Sequence, residues 1–179
     1  MTEFRANRRK ILTAGLALPA LSVPSLGYSA SAASRRLAFY HTHTGKSLDI
    51  VYREGNDYLP NALESIDGFL GDFRTGESYP IDPTLLDQLH DIQRALGTRS
   101  RFEIISGYRS PKTNNMLRGK SNGVAKRSLH MQGRALDIRL TDVSTAKLRA
   151  AALELKGGGV GYYPKSKFIH IDTGRVRRW

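Results

Sequence analysis

The sequence predicts a single α+β domain over residues 33–179: a mostly antiparallel sheet with helices from the N-terminal half packed on it. Three observations carry this. Leu85, Leu86, Leu89, Ile92 and Leu96 recur at helical spacing after Asp82-Pro83 and before Gly97, which marks one clear amphipathic helix. Short runs rich in β-branched and aromatic residues, broken by Gly and Pro, stand before and after it. No internal repeat and no long linker interrupts the stretch, which is long enough for one core.

In chain order, residues 37–42 and 47–53 read as a hairpin around Thr44-Gly45-Lys46. Residues 58–73 read as a helix, with Leu63, Ile66 and Leu70 on one side. Asp82 caps the next helix and Pro83 takes its first position. Residues 101–106 form a strand that Gly107 to Pro111 breaks, and a short helix lies near 113–118. Residues 119–128 make a polar, basic loop, and 135–140 a strand. Asp142 or Ser144 caps a helix to about Leu155, which Gly157-Gly158-Gly159 stops. Residues 160–163 and 167–172 are strands joined by a turn at Pro164.

Composition narrows the chemistry. There is no cysteine, so thiolate metal sites, disulfides and cysteine nucleophiles are excluded, and any metal must take His, Asp or Glu. The charge is +12, from 28 basic and 16 acidic residues, which suits an anionic partner such as a wall polymer or membrane surface. Charge alone argues for nucleic acid; an export signal and the lack of a basic-aromatic stripe argue against it.

That export signal is expected over residues 1–32. Arg8-Arg9 precedes a mild apolar stretch to about Leu26, and Ser29-Ala30-Ser31-Ala32 matches a small-residue cleavage site. The pattern resembles a twin-arginine signal, which implies the twin-arginine machinery as a partner and the periplasm as destination. Pro19 and Pro24 interrupt the stretch, so it does not supply the ~20 apolar residues of a stable membrane span. Without residues 1–32 the chain keeps 24 basic and 15 acidic residues, a charge of +9.

Two patches carry the chemistry: Ser128-Leu-His-Met-Gln-Gly-Arg-Ala-Leu-Asp137 and Phe168-Ile-His-Ile-Asp172. His130 sits in a loop, Gly133 allows a sharp turn, Ala135 leaves room, and Asp137 follows on a strand. His170 and Asp172 share a strand face with Phe168, while Ile169 and Ile171 point into the core. Two imidazoles and a carboxylate are the ligand types of a catalytic zinc with one position open. On spacing alone, these residues need not meet. His41 and His43 alternate on a strand face and read as a solvated strand or cleft edge, and His90 as a surface residue.

The run Ser128-x-His130-x-x-Gly133-x-Ala135-x-Asp137 resembles the signature of the zinc D-Ala-D-Ala peptidases, the superfamily shared with lysostaphin-type endopeptidases and hedgehog domains. Residues 41–45, 106–111, 158–164 and 170–174 also fit its exported bacterial subgroup, so the resemblance spans nearly all of 33–179. It implies zinc held by His130, Asp137 and His170. It makes Arg109, otherwise a plain turn arginine, the residue that contacts the substrate carbonyl or carboxylate. Ser128 would be a turn residue or a support behind the ligands, not a nucleophile.

One departure stands out. The carboxypeptidase branch has a general-base Glu three residues before the last zinc histidine, and the endopeptidase branch a His two before it; here these are Lys167 and Phe168. Asp172 is the nearest carboxylate. It would either take the proton from zinc-bound water or orient a ligand histidine. The expected function is therefore an exported zinc peptidase that cuts amide bonds in peptidoglycan peptides, endo- or carboxypeptidase, with the bond undetermined. The alternative is a non-catalytic, metal-stabilised module that binds wall polymer or an envelope protein.

Overall fold

The computed structural model describes residues 1–2, 33–121 and 123–179, and the described residues run through thirteen elements. These are β1 (Ser34–His41), β2 (Ser47–Glu54), β3 (Asp57–Tyr58), α1 (Pro60–Phe69), α2 (Pro83–Leu96), β4 (Phe102–Ser106) and α3 (Pro111–Lys120). A 3-10 turn (Leu129–Gln132), β5 (Ala135–Arg139), α4 (Thr145–Glu154), β6 (Gly159–Tyr163), β7 (Phe168–Asp172) and β8 (Arg177–Arg178) follow. The export signal expected over residues 1–32 lies, beyond its first two residues, outside the described residues.

The strands make one α+β sheet in the order β3-β2-β1-β4-β5-β7-β6-β8. Five of its pairings are antiparallel. Two are parallel, β1 with β4 and β6 with β8. A parallel neighbour cannot be reached by a tight turn, so the chain crosses over between β1 and β4, and the crossover carries α1 and α2. Among the described residues, no helix is long and apolar enough to cross a membrane.

Local chemistry sets the boundaries. The β1–β2 hairpin closes through His41 N–H to Lys46 O, with Gly45 N–H returning to His41 O. The helix expected over 58–73 is shorter at both ends. Tyr58 pairs with Arg53 in β3, so the helix waits for Pro60. It stops at Leu70 because Asp72 folds the chain into a turn, its side chain accepting Arg74 N–H and its carbonyl Gly76 N–H. α2 begins where Asp82 Oδ1 accepts Thr84 N–H, and closes at Gly97. Of the two candidate caps for α4, Ser144 serves: its Oγ accepts Lys147 N–H, whereas Asp142 accepts the Thr98 hydroxyl. The helix expected near 113–118 starts earlier, at Pro111, because Ser110 caps it.

The core lies between the helices and one face of the sheet. Leu85, Leu86, Leu89 and Ile92 of α2 are buried, each side chain contributing roughly 1.5–3 kcal/mol of apolar transfer. α4 packs beside α2 and covers β6 and β7, so helices from both halves of the domain share the sheet. The pairing aligns Leu136 with Ile171, and Ile138 with Ile169, on the core face. The same register puts Asp137 opposite His170, and Ala135 opposite Asp172, on the other face. The period of two that buries the isoleucines thereby delivers the polar residues to one place.

Candidate metal centre and cleft

Asp137 and His170 are neighbours because β5 and β7 pair in that register. His130 reaches them from the 3-10 turn rather than from an irregular loop. Gly133 ends that turn at φ +64° and lies against the Pro80 carbonyl, where a Cβ would collide; glycine permits both. Its own carbonyl accepts Asp82 N–H, which ties the turn to the start of α2.

His130 Nε2 lies 3.2 Å from His170 Nδ1 and 3.4 Å from Asp137 Oδ1, and His170 Nδ1 lies 3.0 Å from that oxygen. His130 Nδ1 is 2.8 Å from the Gly107 carbonyl, which can only accept, so Nδ1 carries the hydrogen and Nε2 turns a lone pair to the cluster. His170 Nε2 is 3.0 Å from Asp172 Oδ2, so Nε2 donates there and Nδ1 turns its lone pair inward. Two lone pairs and a carboxylate oxygen thus converge. Ligand atoms about 2.0–2.1 Å from one tetrahedral ion stand about 3.3–3.4 Å apart, which these separations approach. The donor set fits a metal ion.

The electrostatics agree. Burial works to raise the Asp137 carboxyl, but His130 and His170 outweigh it and hold it well below the ordinary carboxylate range. Burial pushes His130 down, so it stays neutral. Burial also pulls on His170, yet hydrogen bonds to Asp137 and Asp172 raise it above its ordinary value. Without a metal, a proton on His170 supplies the positive charge that the two carboxylates attract.

Asp172 is fully buried. Burial opposes its charge, but His170, Arg177 and the Gly159 and Gly174 N–H groups hold it well below the usual range. Arg177 grips it with two nitrogens, Nη1 to Oδ1 at 3.0 Å and Nη2 to Oδ2 at 2.6 Å. Its carboxylate lies on the side of His170 away from the cluster and does not line the cleft.

The cleft in front of the cluster measures about 490 Å³. Arg109, Arg127 and Arg177 line it, with Tyr163, Phe168 and Trp179 along one wall. Arg109 Nη2 donates to Ser106 Oγ at 3.3 Å and lies 3.8 Å from Asp137 Oδ2, the oxygen turned away from the histidines. Its Nε is buried with no hydrogen-bond partner among the described residues, and desolvation lowers the pKa of the guanidinium. Ser128 starts the 3-10 turn; its carbonyl accepts Met131 N–H, and its side chain makes no capping bond.

Other expectations change. His41 is buried against Phe69 and Phe73, not a solvated strand edge, because α1 and the turn after it fold over the end of β1. His43 lies in the hairpin turn, stacked on Phe73. His90 is half-buried beside Asp91, far in the chain from the cluster. Lys167 occupies the turn before β7 and does not line the cleft, whereas Phe168 does, stacked on Tyr163. Arg177 and Trp179 went unread in the sequence. Their alternation with Arg175 is the one signal of a final strand edge.

Residues 29–179 match the family described as peptidoglycan L,D-endopeptidase MepK. The chain is 43% identical over 182 residues to the protein of that name from Escherichia coli (strain K12), with the whole of both chains covered. It is equally similar to the one from Shigella flexneri. It is 40% identical over 183 residues to the probable peptidoglycan L,D-endopeptidase MepK of Haemophilus influenzae (strain Rd), covering all of this chain and 98% of the relative.

Proposed function

Because the chain belongs to the peptidoglycan L,D-endopeptidase MepK family, we propose that it is an exported, zinc-dependent peptidase acting on an L,D amide bond within peptidoglycan peptides. The convergence of His130 Nε2, His170 Nδ1 and Asp137 Oδ1, each able to turn a lone pair to one point once His170 gives up its extra proton, carries the metal reading. Zinc, when bound there, supplies Lewis acidity and a water whose pKa falls toward ~7.

The residues of the chain do the rest. Gly107 O and Asp172 fix the two histidines in the tautomers that leave lone pairs for the ion. Arg109, which lines the cleft beside Asp137, binds a carbonyl or carboxylate of the peptide. Arg127 adds positive charge to the cleft, which suits a peptide bearing free carboxylates. Asp172 acts as a positioning residue for His170 rather than as the base, since Arg177 and two backbone N–H groups occupy its oxygens. The endopeptidase names of the relatives favour catalysis over a metal-stabilised binding module.

The test uses purified, zinc-loaded protein and two cross-linked muropeptides, one joined through an L,D bond and one through a D,D bond. Loss of the L,D substrate with appearance of a new free amine is expected. No cleavage of either by protein carrying one zinc per chain overturns the proposal.

A further inference from the structure

One wall of the cleft contains a second polar device. Gly161 pairs with His170, and Tyr163 with Phe168, so all four share the face that carries the metal cluster. Gly161 has no side chain because the Trp179 indole fills that space; a Cβ there would lie 2.8 Å from the ring. The indole ring centre is 5.2 Å from that of His170, and its Nε1 is 3.0 Å from the Tyr163 hydroxyl. One indole therefore touches both the ligand histidine and the tyrosine.

Hydrogen-bond chemistry fixes the direction. An indole N–H can only donate, so the Tyr163 oxygen accepts, and the phenol hydrogen remains for another acceptor. Phe168 stacks on the Tyr163 ring with centroids 4.6 Å apart and an angle of 16°, which holds the ring in place. The backbone backs this up: Tyr162 N–H donates to Trp179 O, and Trp179 N–H to Val160 O. Tyr163 and Arg109 both line the cleft, and nothing in the reaction as drawn above uses the phenol.

We propose that Tyr163 is a further catalytic residue: its hydroxyl, oriented by Trp179, donates a hydrogen bond to the carbonyl oxygen of the scissile amide and holds the oxyanion formed on attack. No proton changes hands in this step; the hydrogen bond shortens as charge builds on the oxygen. A donor set in advance where charge develops is worth more to the transition state than to the flat amide. The inference rests on the peptidase reading, which supplies the amide.

Tyr163→Phe removes the hydroxyl and keeps the ring stack. Expected are a ~10²–10³-fold fall in kcat, a KM within about two-fold and unchanged zinc content. A peptide carrying a tetrahedral phosphinate in place of the scissile amide should bind the variant at least ~10²-fold more weakly, while an uncleavable planar analogue binds as before. Trp179→Phe keeps a ring over Gly161 and loses the N–H, so it should lose about 5–10-fold in kcat, the worth of one hydrogen bond. Thermal melting of Tyr163→Phe reports whether the wall stays packed. Wild-type kcat and phosphinate affinity in Tyr163→Phe overturn the inference and leave the peptidase reading intact. Equal loss of both analogues, with a lowered Tm, assigns Tyr163 a packing role and also overturns it. A wild type that cleaves no muropeptide and binds no phosphinate overturns the peptidase reading, and this inference with it.

Discussion

Asp172 stands behind His170, not in front of it: Oδ2 lies 3.0 Å from His170 Nε2, while His170 Nδ1 faces Asp137. The two carboxylates hold one imidazole from opposite ends. Arg177 and the Gly159 and Gly174 N–H groups satisfy the Asp172 oxygens, which leaves it poorly placed to take a proton from the cleft. Asp172→Asn is therefore expected to weaken zinc binding by ~10–100-fold. Turnover should recover when zinc is raised to saturation. A variant with wild-type zinc affinity and a ~10²–10⁴-fold lower kcat at saturating zinc would instead make Asp172 the base.

The placement of this pair explains how far the sequence could be read. The alternation of Ile169 and Ile171 against His170 and Asp172 was legible because strand periodicity alone decides it. The α2 stripe was legible for the same reason at a period of 3.6. Which ring nitrogen faces which partner was not, since it depends on Gly107 and Asp172 approaching from two different segments. His41 misled because its strand pattern carries no sign of Phe69 and Phe73 folding over it. Trp179 was missed because its two-residue strand, Arg177–Arg178, is held by pairing with β6, and the short alternation with Arg175 is too brief to mark a strand.

Removal of any one ligand should abolish stoichiometric zinc. His130→Ala, Asp137→Ala and His170→Ala are each expected to contain little metal by elemental analysis, and His90→Ala a full equivalent. Stoichiometric zinc in His170→Ala contradicts the ligand set.

Zinc affinity should also depend on pH with a definite sign. In the metal-free protein His170 holds its proton above its ordinary value of 6.5, because Asp137 and Asp172 both attract it. Zinc must displace that proton. Apparent affinity should thus begin to fall while pH is still above 6.5, and then drop about tenfold per unit as pH decreases further. Asp172→Asn removes one of the two carboxylates, so its fall should start at a lower pH. Titrations with a competing chelator between pH 5 and 8 measure both curves; an affinity flat across that range counts against a histidine site.

Export is proposed for residues 1–32 on the strength of Arg8-Arg9 ahead of the apolar run and the Ser29-Ala30-Ser31-Ala32 site. Arg8→Lys combined with Arg9→Lys should leave full-length protein in the cytoplasm. Normal export and processing of the double variant would show that the twin-arginine route is not used.

Away from the cleft, Asp87 ties α2 to the first three strands. It accepts from Arg35 Nη1 at 3.0 Å, Arg53 Nη1 at 2.8 Å, Tyr52 OH at 2.9 Å and Tyr58 OH at 2.6 Å. Burial works against its charge, but the Tyr58 and Tyr52 hydroxyls and the two arginines lower its pKa below the ordinary 3.8. A carboxylate depressed on folding stabilises the folded state above its unfolded pKa. That contribution is lost as pH falls from about 3.8 through the lower folded value. Asp87→Asn keeps the shape and removes the charge, so at neutral pH it should cost about 1.5–3 kcal/mol, the usual worth of hydrogen bonds to a charged group. For a chain of this size each kcal/mol lowers Tm by roughly 2–4 °C. The difference in stability between wild type and variant should be constant from pH 5 to 7 and shrink below pH 4. Asp72 and Asp82, also lowered, titrate in both proteins and cancel in the difference. A gap that stays constant down to pH 2 in urea melts would mean that the Asp87 charge contributes nothing and that packing alone joins α2 to the strands.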